Sequence, residues 1–179
     1  YSHLLNRLSR TEAVAQVLGD LLSESSFSAR TCMVSLSGLV CYCRFIALPA
    51  DVRTPEQVDD FVENGLRQNL PFERDEVVCD THVFEPAASR REAMSVVVKK
   101  AVIQEMRAAV TAAGLTCVAM DMAPAACRNT ARVTGLGAPN FGLVMSLGER
   151  TTTLVFMGEG HFFLHIILIA GRRRPSTKH

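Results

Sequence analysis

Asp80 and Asp121 are the carboxylates that could move a proton or hold a cation, yet no spacing in the chain pairs them. Asp121 stands just ahead of Ala123-Pro124, where a helix is expected to start, so capping or turn formation is its predicted work. The histidines His3, His82, His161, His165 and His179 are scattered. His161 and His165 are four apart, which in a strand only places them on one face. Ser35 and Ser37 lack the glycine-flanked elbow that exposes a nucleophile. Of the six cysteines, Cys32, Cys41, Cys43, Cys79, Cys117 and Cys127, none is in C-x-x-C spacing or beside a histidine pair, so no metal site is predicted. Cys41 and Cys43 share a strand face and are expected to act as small apolar residues, and unpaired cysteines in apolar strands suit a reducing cytosol. No catalytic residue can be assigned from these groups.

The elements that must carry these groups can be read from periodicity and punctuation. Residues 11–23 place Val14, Val17, Leu18, Leu21 and Leu22 at helical spacing, with Thr11 as the predicted N-cap. Runs at 30–36 and 39–48, joined through Ser37-Gly38, predict a hairpin that ends at Pro49. Thr54 and Pro55 open a helix over 54–69 whose stripe is Val58, Phe61, Val62, Leu66 and Leu70. Gly65 inside it is either a close contact or a weak point. Strands follow at 77–84 and 93–98 around a polar turn at 86–91. A helix from Lys99-Lys100 closes at Gly114, a strand runs over 115–122, and a helix runs from Pro124 to 134–135. Strands at 141–147, 151–157 and 161–169 form a meander with turns at Gly148 and 158–160. The order α-β-β-α-β-β-α-β-α-β-β-β, mixing hairpins with crossovers, predicts an α/β (α+β) architecture with mixed sheets.

Composition narrows the function classes. At 179 residues the chain can hold one ordinary core or two small subdomains. With 48% hydrophobic and 21% charged residues it is globular and not disordered. A net charge of +1, with both signs intermixed, leaves no basic field for nucleic acid. Arg172-Arg173-Arg174 reads as a solvated tail, with anionic lipid as the lesser alternative. The longest apolar stretch, 162–170, is too short to span a bilayer and includes His165. Membrane association is therefore expected only through a partner.

A series of anchors now stands in order. Leu48-Pro49 follows the first strands and Pro71-Phe72 follows a helix, leading into Glu76-Val77-Val78-Cys79-Asp80. Ala113-Gly114-Leu115 precedes Val118-Ala119-Met120-Asp121, and Pro124-Ala125-Ala126 begins a helix. Leu147-Gly148-Glu149-Arg150-Thr151-Thr152 and Gly158-Glu159-Gly160 come before a strand ending at Ala170-Gly171. From about Thr11 to Gly171 this series resembles the PilM-type assembly proteins of type IV pili and, more distantly, the division protein FtsA and the cytoplasmic part of the type II secretion protein GspL. The resemblance implies an actin-like, ribonuclease-H-like subdomain with an inserted small sheet-plus-helix subdomain. Core is expected over 1–49 and 114–171, the insert over 50–113 and a basic tail over 172–179. With Tyr1 in place of a methionine, and without the family's opening strands or second domain, the chain reads as a fragment of a larger two-domain protein.

Actin-like ATPases carry a second phosphate loop of the form Asp-x-Gly-x-x-x-Thr, and the matching positions are Ser146, Gly148 and Thr152, with Thr151 beside them. There the carboxylate organises Mg²⁺, the glycine lets the backbone approach, and hydroxyl and amides face phosphate. Serine is neutral at pH 7, so Ser146 cannot supply that charge. An ordinary β-turn is the plain reading, phosphate contact without efficient hydrolysis is the alternative, and no cofactor is assigned to this chain; the resemblance leaves ATP with Mg²⁺ open only for a full-length protein. No enzymatic activity is assigned.

The resemblance also implies a partner: the short cytoplasmic tail of a membrane-anchored PilN-type protein, laid in a groove beside the insert, with self-association as a further trait. Leu70, Pro71 and Phe72 and the strand Val96, Val97 and Val98 are the groove residues it suggests. For Phe72 the plainer reading, and the favoured one, is a core residue locking the helix end. The expectation is thus a cytoplasmic scaffold or adaptor at the inner membrane. A nucleotide-gated ATPase of the same machinery, or an FtsA-like filament protein, are the alternatives.

Overall fold

A computed structural model of the chain describes residues 10–84, 91–135, 142–148, 151–158 and 161–169. The element order is α1 (Arg10–Glu24), β1 (Thr31–Leu36), β2 (Cys41–Ala47), α2 (Pro55–Arg67), β3 (Val77–Phe84), β4 (Glu92–Lys99), α3 (Lys100–Ala112), β5 (Thr116–Met122), α4 (Ala123–Val133), β6 (Gly142–Leu147), β7 (Thr151–Gly158) and β8 (His161–Ile169). This is the predicted order. Most of the polar turn at 86–91, the centre of the 158–160 turn and the arginine tail lie outside the described residues.

The predicted β1–β2 hairpin is not formed. β1 pairs in parallel with β5, and β2 pairs antiparallel with β4 in a sheet of order β2-β4-β3. The turn after β1, closed by Val40 N–H donating to the Ser37 carbonyl at 3.0 Å, carries the chain from one sheet to the other. The reason is β4, where Ala93, Met94, Ser95, Val97 and Val98 are all buried. A strand apolar on both faces needs neighbours at both edges, and these distant pairings outweigh the local one.

Two helix boundaries have a clear local cause. Thr54 Oγ1 accepts from Gln57 N–H at 3.3 Å while Gln57 Oε1 accepts from Thr54 N–H at 3.1 Å, so α2 opens on a reciprocal capping box with Pro55 next. The contact expected at Gly65 is of ordinary tightness: a Cβ there would meet Ile46 Cδ1 at 3.7 Å. α3 ends in a Schellman arrangement, with Gly114 at φ +80°, its N–H bonded to the Thr111 carbonyl at 2.9 Å and Leu115 N–H to the Val110 carbonyl at 2.9 Å. Thr11 does not cap α1, because Arg10 is already helical and Thr11 lies in the first turn. α1 packs along α3, with Arg10 Nε 3.8 Å from Glu105 Oε1 at the surface.

The β2-β4-β3 sheet separates two apolar clusters. On one face Val97 and Ala93, flanked by Tyr42, Ile46, Cys79 and Val83, pack beneath Val58, Val62 and Leu66 of α2. On the other face Met94, Phe84, Cys43 and Phe45 meet Met122 and Ala131 around α4 and Val155 and Met157 of β7. β6, β7 and β8 form the predicted antiparallel meander. Among the described residues no helix is long and apolar enough to cross a membrane.

Candidate docking groove and phosphate turn

Alternation along β3 puts Val78, Asp80, His82 and Phe84 on the sheet face that looks away from α2. The end of β5 and the first turns of α4 stand opposite, bringing Met120, Asp121, Met122, Ala125 and Arg128. Between them is an open groove of about 290 Å³. Its walls are mainly apolar, and Val78 is 44% exposed within it. Five polar side chains, Asp80, His82, Asp121, Arg128 and Asn129, punctuate it.

These polar groups are positioned by their neighbours. The Arg128 guanidinium carbon lies 5.5 Å from the Phe84 ring centroid, a cation–π arrangement. His82 meets the same ring edge-on, centroids 4.7 Å apart at 81°. Asp121 Oδ1 accepts the Met122 N–H at 2.8 Å within the last residues of β5, so it neither caps α4 nor closes a turn through this contact. Burial, reinforced by the Asp121 charge, pushes the Cys41 thiol up to about 11, and burial together with Cys41 does the same to Cys43. Both are therefore neutral thiols and poor nucleophiles at physiological pH.

The partner residues expected from sequence are divided by the sheet. Val96 and Val98 line the groove, whereas Val97 is fully buried on the α2 side. Leu70 and Phe72 pack partly buried against that same α2-side cluster, and Pro71 is exposed. Lys99 Nζ sits 4.5 Å from the Phe72 ring centroid. Phe72 thus has the core-locking environment, on the far side of the sheet from Val96 and Val98. Asp80 and Asp121, unpaired in the sequence, both reach the groove. Met94, Phe84, Met122 and Arg128 were missed there, although the alternation of β3 was the legible signal for Phe84.

The phosphate-loop positions lie on the β6–β7 turn. Ser146 pairs with Thr153 and Leu147 with Thr152 in antiparallel register, and Thr151 begins β7 opposite Ile169. Ser146 and Gly148 are exposed and Thr152 is half-buried. None of these three lines the groove. Among the described residues no three His, Cys, Asp or Glu side chains cluster to hold a metal ion.

The fold is a mixed α/β architecture with an open groove between the β2-β4-β3 sheet and the β5–α4 unit. The model of the family described as type IV pilus assembly protein PilM matches residues 5–157, and the chain belongs to that family. A solved PilM-PilN type IV pilus biogenesis complex superposes with a TM-score of 0.75 at 22% identity, covering 90% of this chain and 49% of that one. The cytoplasmic domain of EpsL, an inner membrane component of the type II secretion system of Vibrio cholerae, gives a TM-score of 0.58 at 12% identity, over 87% of this chain and 56% of that one. A fainter likeness, at a TM-score of 0.44 and 13% identity, is to a Bacteroides thetaiotaomicron protein of actin-like ATPase fold and unknown function, over 92% of this chain and 57% of that one. Comparison with curated proteins gives no match. The chain spans about half the length of the solved structures it matches.

Proposed function

We propose that this chain is a docking platform of the pilus machinery, and that its groove receives an extended cytoplasmic segment of a PilN-type, membrane-anchored partner. The docking unit is the β2-β4-β3 sheet with α2, and the groove is the boundary between that unit and the β5–α4 part of the core. The observation that carries the reading is the groove itself, an apolar channel of about 290 Å³ with polar groups at a few points. Such a channel suits a peptide that inserts apolar side chains and is fixed in register by a few polar contacts. The structural likeness to a protein solved together with PilN supports the choice of partner class. On this reading the chain works in the cytoplasm and reaches the inner membrane through its partner.

The test is a fluorescence titration of a labelled peptide copying the cytoplasmic tail of a PilN-type protein. Val78→Asp places a charge in the groove at a position that is already 44% exposed, so folding is expected to survive it. Binding is expected to weaken at least about tenfold, the equivalent of ~1.4 kcal/mol. Pro71→Ala, on the other side of the sheet, is expected to leave affinity unchanged. Loss of binding in Pro71→Ala with full binding in Val78→Asp would return the site to the α2 side.

A further inference from the structure

Cys32 and Cys117 are far apart in the chain, but β1 and β5 bring them together as in-register partners of a parallel pair. Partner residues on neighbouring strands project to the same face, and a strand spacing of about 4.8 Å falls within the Cα separation that a disulfide bridges. The Cys117 thiol donates to the Ala119 carbonyl at 3.3 Å, and the Cys32 side chain is near enough to feel Cys117 electrostatically. Both are free and half-buried, so a small reagent can reach them. The register shifts immediately after Cys32, which leaves the pair at an irregular point of the ladder with local freedom to adjust.

The other cysteines lack this arrangement. Cys41 and Cys43 are neighbours on one strand and are held neutral by burial. Cys79 Sγ is 2.9 Å from Ser95 Oγ, and Cys127 packs in the cluster beneath α4. Both cysteines are free thiols, and burial first, then the adjoining Cys117, raises the Cys32 pKa.

We propose that Cys32 and Cys117 form a redox-active dithiol that a low-molecular-weight disulfide converts to an intramolecular bridge clamping β1 to β5. One thiol, as its thiolate after releasing a proton, attacks the small disulfide and expels one small thiolate, leaving a mixed disulfide. The second protein thiolate attacks the protein sulfur of that mixed disulfide and expels the other small thiolate. In sum, two protein thiols lose two electrons and two protons, and one small disulfide becomes two small thiols. The clamp is independent of what the groove binds.

The experiment treats the native full chain with oxidised glutathione, quenches with acid, alkylates the remaining thiols and maps the peptides without reduction. The expected result is one dominant linked peptide joining Cys32 to Cys117, with the other cysteines alkylated and full reversal by dithiothreitol. In Cys32→Ser the reaction is expected to stop at a Cys117–glutathione mixed disulfide, and Cys117→Ser gives the reciprocal result if the first variant folds poorly by circular dichroism. The linkage should lose its dominance in urea, where the register no longer exists. Mixed disulfides alone in the wild type, equal linkage to other cysteines, two thiols that remain alkylatable, or the same linkage in urea would each overturn the proposal.

Discussion

Glu63 shows how one residue ties a helix to the strand that follows it. Arg74 Nε lies 2.8 Å from both Glu63 oxygens, and Arg67 Nε, one turn along α2, adds a 3.4 Å contact. The hydrogen bond from Arg74 holds the Glu63 carboxyl below its usual range, against the opposing pull of burial. A carboxyl pKa that is lower folded than unfolded adds stability that is complete above the unfolded value of about 4.3 and is lost as pH falls through the folded value. Arg74 is substantially exposed, so solvent screens the pair and Arg74→Ala is expected to cost under about 1 kcal/mol at pH 7. Urea unfolding at pH 7 and again below the folded carboxyl pKa should show the gap between variant and wild type closing at the acid end. A gap independent of pH would mean that Arg74 acts through packing of its stem.

At the scale of the element, the capping chemistry was legible because it depends on neighbours in sequence. Thr54, Pro55 and Gln57 supply the N-terminal box of α2, and Gly114 supplies the left-handed residue after α3. Gly114→Ala meets no atom within 4 Å at its Cβ, so its cost is that of holding alanine at φ +80°. That cost is expected to be about 1 kcal/mol, read as a lower urea midpoint with an unchanged m-value. A neutral effect would show that the α3 end relaxes into another turn. Strand pairing was less legible for the same physical reason. β1 and β2 each read correctly as strands, yet the partner of each is set by the apolar demand of β4 and by the arrival of β5, neither of which is local.

Across the whole molecule, the β2-β4-β3 sheet is a partition. Its α2 face is filled by Val58, Val62 and Leu66, while its other face is shared between packing on α4 and β7 and the open groove. That partition explains why the run Val96, Val97, Val98 cannot act as one surface. The β6–β7 turn lies apart from the groove, and Ser146 beside it supplies no carboxylate that could organise Mg²⁺. The chain as it stands is therefore expected to release no phosphate from Mg-ATP above the buffer background in a coupled assay. Turnover that disappears in Thr152→Ala would make the turn a working phosphate site.

Among the described residues the order of α-helices and strands, the N-cap of α2 and the end of α3 were present in the linear chain. They arise from periodicities and hydrogen bonds that span a few residues. Asp80 and Asp121 were also visible there as isolated carboxylates. Their convergence on one groove, the separation of Leu70 and Phe72 from Val96 and Val98, and the meeting of Cys32 with Cys117 came from folding. Each depends on which strand lies beside which. That choice is made by burial of β4 on both faces and by a parallel pairing across a long crossover, and these are interactions between segments with no proximity along the chain.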